Sequence, residues 1–275
     1  MKLLAHAVMA TIERRAPLRS TVLILIVALS LSLFFSPLLG TAMAGERKLT
    51  IAAASDLAFA LKEIVQEFEE TTGRGVVISF GSTGNLTRQI ENGAPFDLFF
   101  AANESYINQL REGNYILPST QQIYGRGRIV LAVNRREGAK LERLNGLLDP
   151  AVKRIAIANP NHAPYGTAAK EALISAGLWK EVRRKLVYGE NIRQTLQFIQ
   201  TGDAPVGIIA LSVADTDGIA YTLIDESLHN PINQAIAIIR RSELQEEALS
   251  FIRLVKSPGG RQIMRRYGFL LPGDF

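Results

Sequence analysis

The residues in this sequence best suited to chemistry form a short loop of glycines and hydroxyl side chains, Gly81-Ser82-Thr83-Gly84. A β-branched run at residues 76–80 precedes the loop, and apolar residues spaced as in a helix resume at Leu86, so we expect a strand, a turn and a helix. Such a helix start directs free backbone N–H groups, hydroxyls and the positive end of the helix dipole to one point. By itself the loop fits an anion site or an ordinary helix cap.

Three more loops of the same kind follow predicted strands: Ala54-Ser55-Asp56, Ala163-Pro164-Tyr165-Gly166 and Glu190-Asn191-Ile192. In open α/β sheets the ligand crevice lies at the carboxyl ends of the strands, where such loops meet. None of the four loops contains Arg or Lys, and neutral donors at helix starts can hold a dianion through charge-assisted hydrogen bonds. Together the loops predict an oxyanion site.

Asp56 has two interpretations. A carboxylate beside an anion site repels a dianion unless the ligand keeps a proton that the carboxylate can accept, as hydrogen phosphate does. The alternative, which we favour from the sequence, places the Asp56 side chain outward in the first helical turn, with only its backbone N–H facing the ligand. Tyr165 is either a wall residue whose amide binds or a packing residue beneath a turn.

Enzymatic signatures are missing from the sequence. Beyond residue 44 the histidines are His162 and His229, and neither lies in a recognisable catalytic motif. We expect His162 to be a solvated loop residue. No phosphate-binding loop, zinc-protease or dinucleotide motif is present, and we expect neither an enzyme nor a bound cofactor.

The first segment has the layout of an export signal. Arg14, Arg15 and Arg19 precede an apolar stretch at residues 21–35, and Ala42-Met43-Ala44 offers the small-residue pattern of a cleavage site. We expect residues 1–44 to be a signal peptide, cleaved after Ala44, with an uncleaved membrane anchor as the alternative. The sequence has no cysteine, hence no disulfide and no lipid-bearing cysteine, and we expect a periplasmic protein without a lipid anchor.

The charge balance gives no reason to expect a nucleic-acid partner. Residues 1–44 hold four basic and one acidic side chain, so their removal lowers the net charge from +5 to +2. No basic stripe interleaved with aromatic residues occurs in the remainder.

From Lys48 onward the sequence alternates strand and helix patterns, which predicts α/β layers around a mainly parallel sheet. We predict one chain crossing between domains at Tyr124-Gly125-Arg126-Gly127, with a plain loop into the next strand of the sheet as the alternative. A return through Asn230-Pro231 leads to a strand at residues 235–239. The expected organisation is a first lobe at 45–124, a second lobe at 125–230 and a return to the first lobe at 231–275.

Several motifs in order resemble one family: Ala53-Ala54-Ser55-Asp56-Leu57, Phe80-Gly81-Ser82-Thr83-Gly84-Asn85-Leu86, Asn92-Gly93-Ala94-Pro95-Phe96-Asp97-Leu98-Phe99, Asn159-Pro160 with Ala163-Pro164-Tyr165-Gly166, and Arg266-Tyr267-Gly268-Phe269. Together they resemble the periplasmic molybdate-binding proteins of ABC transporters, over the whole chain beyond the export signal. The resemblance implies a type II periplasmic-binding-protein fold, with two α/β lobes joined by a two-crossover hinge. It further implies a monomer that binds molybdate or tungstate between the lobes and delivers it to a membrane permease.

The resemblance also implies the ligand-binding residues. Ser55 would donate its hydroxyl and Thr83 its hydroxyl and amide, with Ser82 as a neighbour, and Asp56 borders the same loop. Tyr165 and Ile192 would donate backbone N–H groups from the second lobe, so that the metal is held only through the oxygens of molybdate. The sequence departs from many members at Ala210, where they have a tyrosine that gives a further hydroxyl. Binding of sulfate or phosphate, and an enzyme on the same scaffold, remain the alternatives.

Overall fold

The structure is a computed structural model, and it describes residues 47–137 and 141–275. The predicted signal peptide and its cleavage site after Ala44 lie outside these ranges. Within them, no helix is both long enough and apolar enough to cross a membrane.

Lobe 1 is built on a five-stranded sheet in the order β2-β1-β3-β10-β4. Its strands are β1 (Leu49–Ala54), β2 (Val76–Gly81), β3 (Leu98–Ala101), β4 (Gln122–Gly127) and β10 (Ile232–Ile238). The pairs of β1 with β2 and β3 are parallel, whereas β10 runs antiparallel to both of its neighbours, β3 and β4. The last strand of the chain therefore lies inside the sheet that the first strands begin.

Lobe 2 is built on a second five-stranded sheet in the order β7-β6-β8-β5-β9. Its strands are β5 (Ile129–Asn134), β6 (Ile155–Ala158), β7 (Leu186–Gly189), β8 (Val206–Ala210) and β9 (Ile219–Leu223). Strand β6 pairs in parallel with β7 and β8, and β5 pairs antiparallel with β8 and β9. The two sheets thus repeat one design: three parallel strands, then one antiparallel strand, then an edge strand that runs in the direction of the first three.

The α-helices of the described residues cover these sheets. They are α1 (Ala58–Thr72), α2 (Thr83–Glu91), α3 (Glu104–Glu112), α4 (Pro164–Ser175), α5 (Trp179–Val182), α6 (Ile192–Thr201), α7 (Gln245–Lys256) and α8 (Pro258–Arg266). Their ends follow local rules. The Asn191 side chain accepts hydrogen bonds from the backbone N–H groups of Arg193 and Gln194 in the first turn of α6, and Gly202 ends α6 in the left-handed region at φ 83°.

Continuous apolar strands form the interior of each lobe. Strand β3 is buried along its whole length, as are β6 and β8, which is the pattern expected where helices cover both faces of a sheet. Phe68, Phe100 and Phe251 pack edge to face in lobe 1, with ring centroids 5.1 to 6.0 Å apart. Burial of these rings is a main source of stability in this lobe.

The chain passes from lobe 1 to lobe 2 at Arg128, between β4 and β5. The segment Tyr124–Gly127, predicted from its glycines to be a connecting loop, instead forms most of β4. It pairs with β10, and Arg126 also exchanges backbone hydrogen bonds with Leu270. These partners come from the end of the chain, so the local sequence pattern does not reveal the strand. The chain returns to lobe 1 between β9 and β10.

Candidate functional site

Ser55 lies directly after β1, in a single helical turn at Ser55–Leu57 that leads into α1. The residue is buried, and its Oγ accepts a hydrogen bond from the backbone N of Ile192 at 3.1 Å. Ile192 is the first residue of α6 in lobe 2. A serine hydroxyl that accepts in this way still has its O–H to donate. The structure therefore brings together two of the residues predicted to bind the ligand, from opposite lobes.

Thr83 is the first residue of α2 and is completely buried. Its Oγ1 accepts a hydrogen bond from the backbone N of Ala102 at 3.0 Å, just beyond the end of β3. This bond fixes the side chain at the carboxyl edge of the lobe 1 sheet, and the hydroxyl proton remains available to a ligand. The neighbouring Ser82 has an extended backbone and precedes the helix as its cap residue.

His162 lies at the rim between the lobes, where it contacts lobe 1, and is not the solvated loop residue expected from the sequence. Its Nδ1 lies 2.8 Å from the Ser82 Oγ, and its backbone O accepts a hydrogen bond from Gly84 N at 2.9 Å. A Cβ added to Gly84 would lie 3.0 Å from that backbone O, so the glycine permits the close approach. Beside these contacts, Glu190 of lobe 2 accepts a hydrogen bond from Asn85 of lobe 1. His162 is thus part of the junction between the lobes.

Tyr165 is the second residue of α4, where the backbone N–H groups have no partner within the helix. Pro164 occupies the first position, which suits its missing N–H and fixed φ. The Tyr165 side chain is buried and crosses into lobe 1, where its hydroxyl donates to Asp56 Oδ2 at 2.9 Å. Tyr165 therefore offers the junction a helix start and a phenol that fastens the two lobes together.

The side chain of Asp56 does not point outward, as we favoured from the sequence. The residue is only 1% exposed, and Oδ2 accepts hydrogen bonds from the Tyr165 hydroxyl and from Gln234 Nε2, the latter at 2.7 Å. The other oxygen, Oδ1, is buried without a hydrogen-bond partner. Burial raises the pKa of Asp56 to about 6, and the bonds from Gln234 and Tyr165 offset only part of that effect.

Gln234 and Tyr124, near the hinge, complete this buried group, and the sequence does not predict either of them as a site residue. Gln234 lies on β10 and also donates to the Tyr165 hydroxyl at 2.7 Å, while Tyr124 on β4 donates to Gln234 Oε1. Burial and the nearby Asp56 raise the pKa of both tyrosines well above the ordinary value, so both phenols stay protonated. Asp56 and Gln234 are 178 residues apart along the chain, so no local motif reveals this network.

Ala210 ends β8 and is completely buried, and its methyl group stands in place of the tyrosine side chain expected in many members of the family. Two residues farther along, the Ser212 hydroxyl donates to the backbone O of Asp56 at 2.8 Å. This bond links the end of β8 to lobe 1. Because the Ser212 hydroxyl hydrogen is already donated to a backbone oxygen, it does not replace the hydroxyl of the missing tyrosine.

Four strand-to-helix loops thus converge where the lobes meet, and three of them begin α-helices, at Thr83, Pro164 and Ile192. The convergent groups are hydroxyls and backbone amides at the positive ends of helix dipoles, which suits a small anion. Among the residues described, no cluster of His, Cys, Asp and Glu could hold a metal ion directly. The junction has the chemistry of an oxyanion site that holds its ligand through the ligand's oxygens.

Two α/β lobes with this strand order, two chain crossings and donor loops at the junction define a solute-binding protein of the type II periplasmic class. The family model for bacterial extracellular solute-binding proteins matches residues 49–270, and the chain belongs to that family. The fold expected from the sequence is therefore confirmed.

Several relatives of this chain are named molybdate-binding proteins. Molybdate-binding protein ModA of Rhodobacter capsulatus is 33% identical over 230 residues, covering 83% of this chain and 90% of that protein. ModA of Azotobacter vinelandii is 33% identical over 223 residues, covering 80% of this chain and 88% of that protein. The solved periplasmic molybdate-binding protein of Azotobacter vinelandii superposes with a TM-score of 0.76 at 28% identity, covering 82% of this chain and all of that one. These relatives are named for binding and not for catalysis.

Proposed function

We propose that this protein captures molybdate between its two lobes and delivers it to the permease of an ABC transporter. The observation that carries the proposal is the hydrogen bond between Ser55 Oγ and Ile192 N, because it brings donor loops of both lobes to one point. The names of the relatives support molybdate as the ligand.

Ser55 and Thr83 would each donate a hydroxyl hydrogen to a molybdate oxygen, and the amides of Thr83 and Tyr165 would donate from helix starts. The Ile192 amide would also donate, by exchanging Ser55 Oγ for the ligand as its acceptor. Ser82 borders the ligand, and its hydroxyl contacts His162 at the rim. All of these groups are neutral, so the negative charge of the anion is balanced by charge-assisted hydrogen bonds and helix dipoles. Selectivity then depends on the size of the closed cavity, because sulfate, molybdate and tungstate carry the same charge.

The protein acts as a periplasmic monomer that is exported by residues 1–44, takes tungstate as well as molybdate, and needs no cofactor. The bound, closed form is the one that the permease receives. It performs no catalysis, since the groups proposed to donate to the ligand are hydroxyls and backbone amides. Turnover of a substrate at this site would contradict that statement.

Calorimetric titration of the mature protein with molybdate, tungstate, sulfate and phosphate tests the proposal. Molybdate and tungstate are expected to bind tightly and sulfate weakly, because sulfate has the same charge but a smaller radius. Tight phosphate binding without molybdate binding would favour a protein for another tetrahedral oxyanion, with Asp56 as the acceptor of the ligand's proton.

Ser55→Ala and Thr83→Ala are each expected to weaken molybdate binding by about 1 to 3 kcal/mol, because each removes a charge-assisted hydrogen bond. Ser105→Ala is the matched control, since Ser105 is exposed in the first turn of α3, away from the junction. Unchanged molybdate affinity in both variants would refute the assignment of these hydroxyls.

A further inference from the structure

The unusual feature of the junction is a carboxyl group within an anion site. Asp56 directly follows Ser55, and its Oδ2 is bonded to the phenol of Tyr165, so the carboxyl lies among residues proposed to bind molybdate. A charged carboxylate in this place would oppose the entry of a dianion, and at 1% exposure little solvent screens the repulsion.

Within residues 47–137 and 141–275, no basic side chain forms an ion pair with this carboxyl group. The groups that face it are Tyr165 from α4, Gln234 from β10 and Tyr124 from β4, and Ser212 after β8 bonds to its backbone. All four are neutral, and among the described residues no Arg, Lys or His is a hydrogen-bond partner of Asp56. The environment therefore favours the neutral acid over the carboxylate.

The two carboxyl oxygens are used differently. Oδ2 accepts two hydrogen bonds, as the carbonyl oxygen of a carboxylic acid can, while Oδ1 is buried and has none. A carboxylate with an unpaired buried oxygen is costly, but an acid protonated on Oδ1 turns that atom into a donor. An anion oxygen is the acceptor that such a donor needs. Burial, which raises the pKa of Asp56 to about 6, already favours this form before an anion adds its charge.

We propose that Asp56 becomes the neutral acid when the lobes close on the ligand, so that each molybdate dianion binds together with one proton. The proton comes from solvent and forms a bond to Asp56 Oδ1, and no bond within the anion breaks. The inference rests on the proposed function and adds a specificity-determining residue to it, because Asp56 favours a tetrahedral oxyanion that binds together with one proton.

The rim contains two other ionisable side chains, and the experiment must separate their effects from that of Asp56. His162 Nε2 lies 3.6 Å from the Glu190 carboxylate, and the His162 ring also contacts Ser82. His162→Gln removes the imidazole but keeps a polar side chain, and is expected to leave the proton uptake in place. Asp56→Asn keeps an acceptor for Tyr165 and Gln234 and puts an N–H donor where the acid would have its O–H.

The test is calorimetry of molybdate binding to the mature protein at pH 7.5, in Pipes, Hepes and Tris buffers, whose ionisation enthalpies differ. The dependence of the binding enthalpy on the buffer gives the number of protons taken up. We expect about one proton per molybdate for the wild type and for His162→Gln, and none for Asp56→Asn. Between pH 7 and pH 8 the wild-type affinity is expected to fall about tenfold, while that of Asp56→Asn stays constant.

Tight molybdate binding without proton uptake by the wild type would overturn this inference and leave the proposed function standing. Persistence of the uptake in Asp56→Asn, or a folded Asp56→Asn that does not bind molybdate, would likewise overturn it. If the wild type bound no molybdate, the proposed function would fail, and this inference with it. The wild-type buffer series needs no variant, so the inference can be refuted even if Asp56→Asn does not fold.

Discussion

Replacing Asp56 by Asn should make the stability of the ligand-free protein less dependent on pH. Burial raises the pKa of Asp56 from 3.8 to about 6 in the folded state, so the folded protein binds the proton more tightly than the unfolded chain does. The contribution of Asp56 to stability is therefore complete below pH 3.8 and is lost as the pH rises through 6. Above that range the folded state bears the full cost of a buried charge.

The size of this effect follows from the shift. About two pKa units at 1.36 kcal/mol each correspond to about 3 kcal/mol. Part of this total lies below pH 4, so the difference in unfolding free energy between Asp56→Asn and the wild type is expected to grow by about 2 kcal/mol from pH 4 to pH 7, in favour of the variant. Altered hydrogen bonds in the variant can add a constant difference in unfolding free energy at every pH. The change of this difference with pH is therefore the quantity to compare.

Urea unfolding of both proteins at intervals between pH 4 and pH 8, followed by circular dichroism, measures this difference. Urea is suitable because it adds no salt. Asp217→Asn is the matched control, since Asp217 is an exposed carboxyl between β8 and β9. Curves of stability against pH that run parallel for the wild type and Asp56→Asn would refute the reasoning, because a buried, unbalanced carboxyl requires them to diverge.

Two further substitutions test the contacts between the lobes. Gly84→Ala would put a Cβ 3.0 Å from the backbone O of His162. Because overpacking costs about 1 to 3 kcal/mol, the free energy of molybdate binding measured by calorimetry should weaken by that amount. The melting temperature should stay near that of the wild type. Gly127→Ala would put a Cβ 2.0 Å from the Tyr165 hydroxyl; it should displace the phenol from Asp56 and weaken binding, and wild-type affinity in this variant would show that the phenol is not needed.

The parts of the site that the sequence predicts are those set by local pattern. Ser55 and Thr83 could be placed at the ends of β1 and β2, because a β-branched run followed by small polar residues and a helical period fixes their position. The same holds for Tyr165 and Ile192 at the starts of α4 and α6. Local rules place such residues at the edge of a sheet without showing which side chains meet across it.

The orientation of Asp56 depends on partners far along the chain. Its bonds reach Tyr165 at a separation of 109 residues and Gln234 at 178 residues. A first-turn aspartate usually points to solvent, where it complements the helix dipole, and this expectation is wrong here because lobe 2 covers the turn. His162 was misjudged for the same reason, since its contact with Ser82 exists only between the lobes.

The position of β10 between β3 and β4 has a consequence for how the chain folds. The strands of lobe 2 all lie between Ile129 and Leu223, so its sheet is built from one continuous stretch of chain. The sheet of lobe 1 needs β10, residues 232–238, as the neighbour of both β3 and β4. Its contacts are therefore of much longer range along the chain, and such contacts carry the larger entropic cost of loop closure during folding.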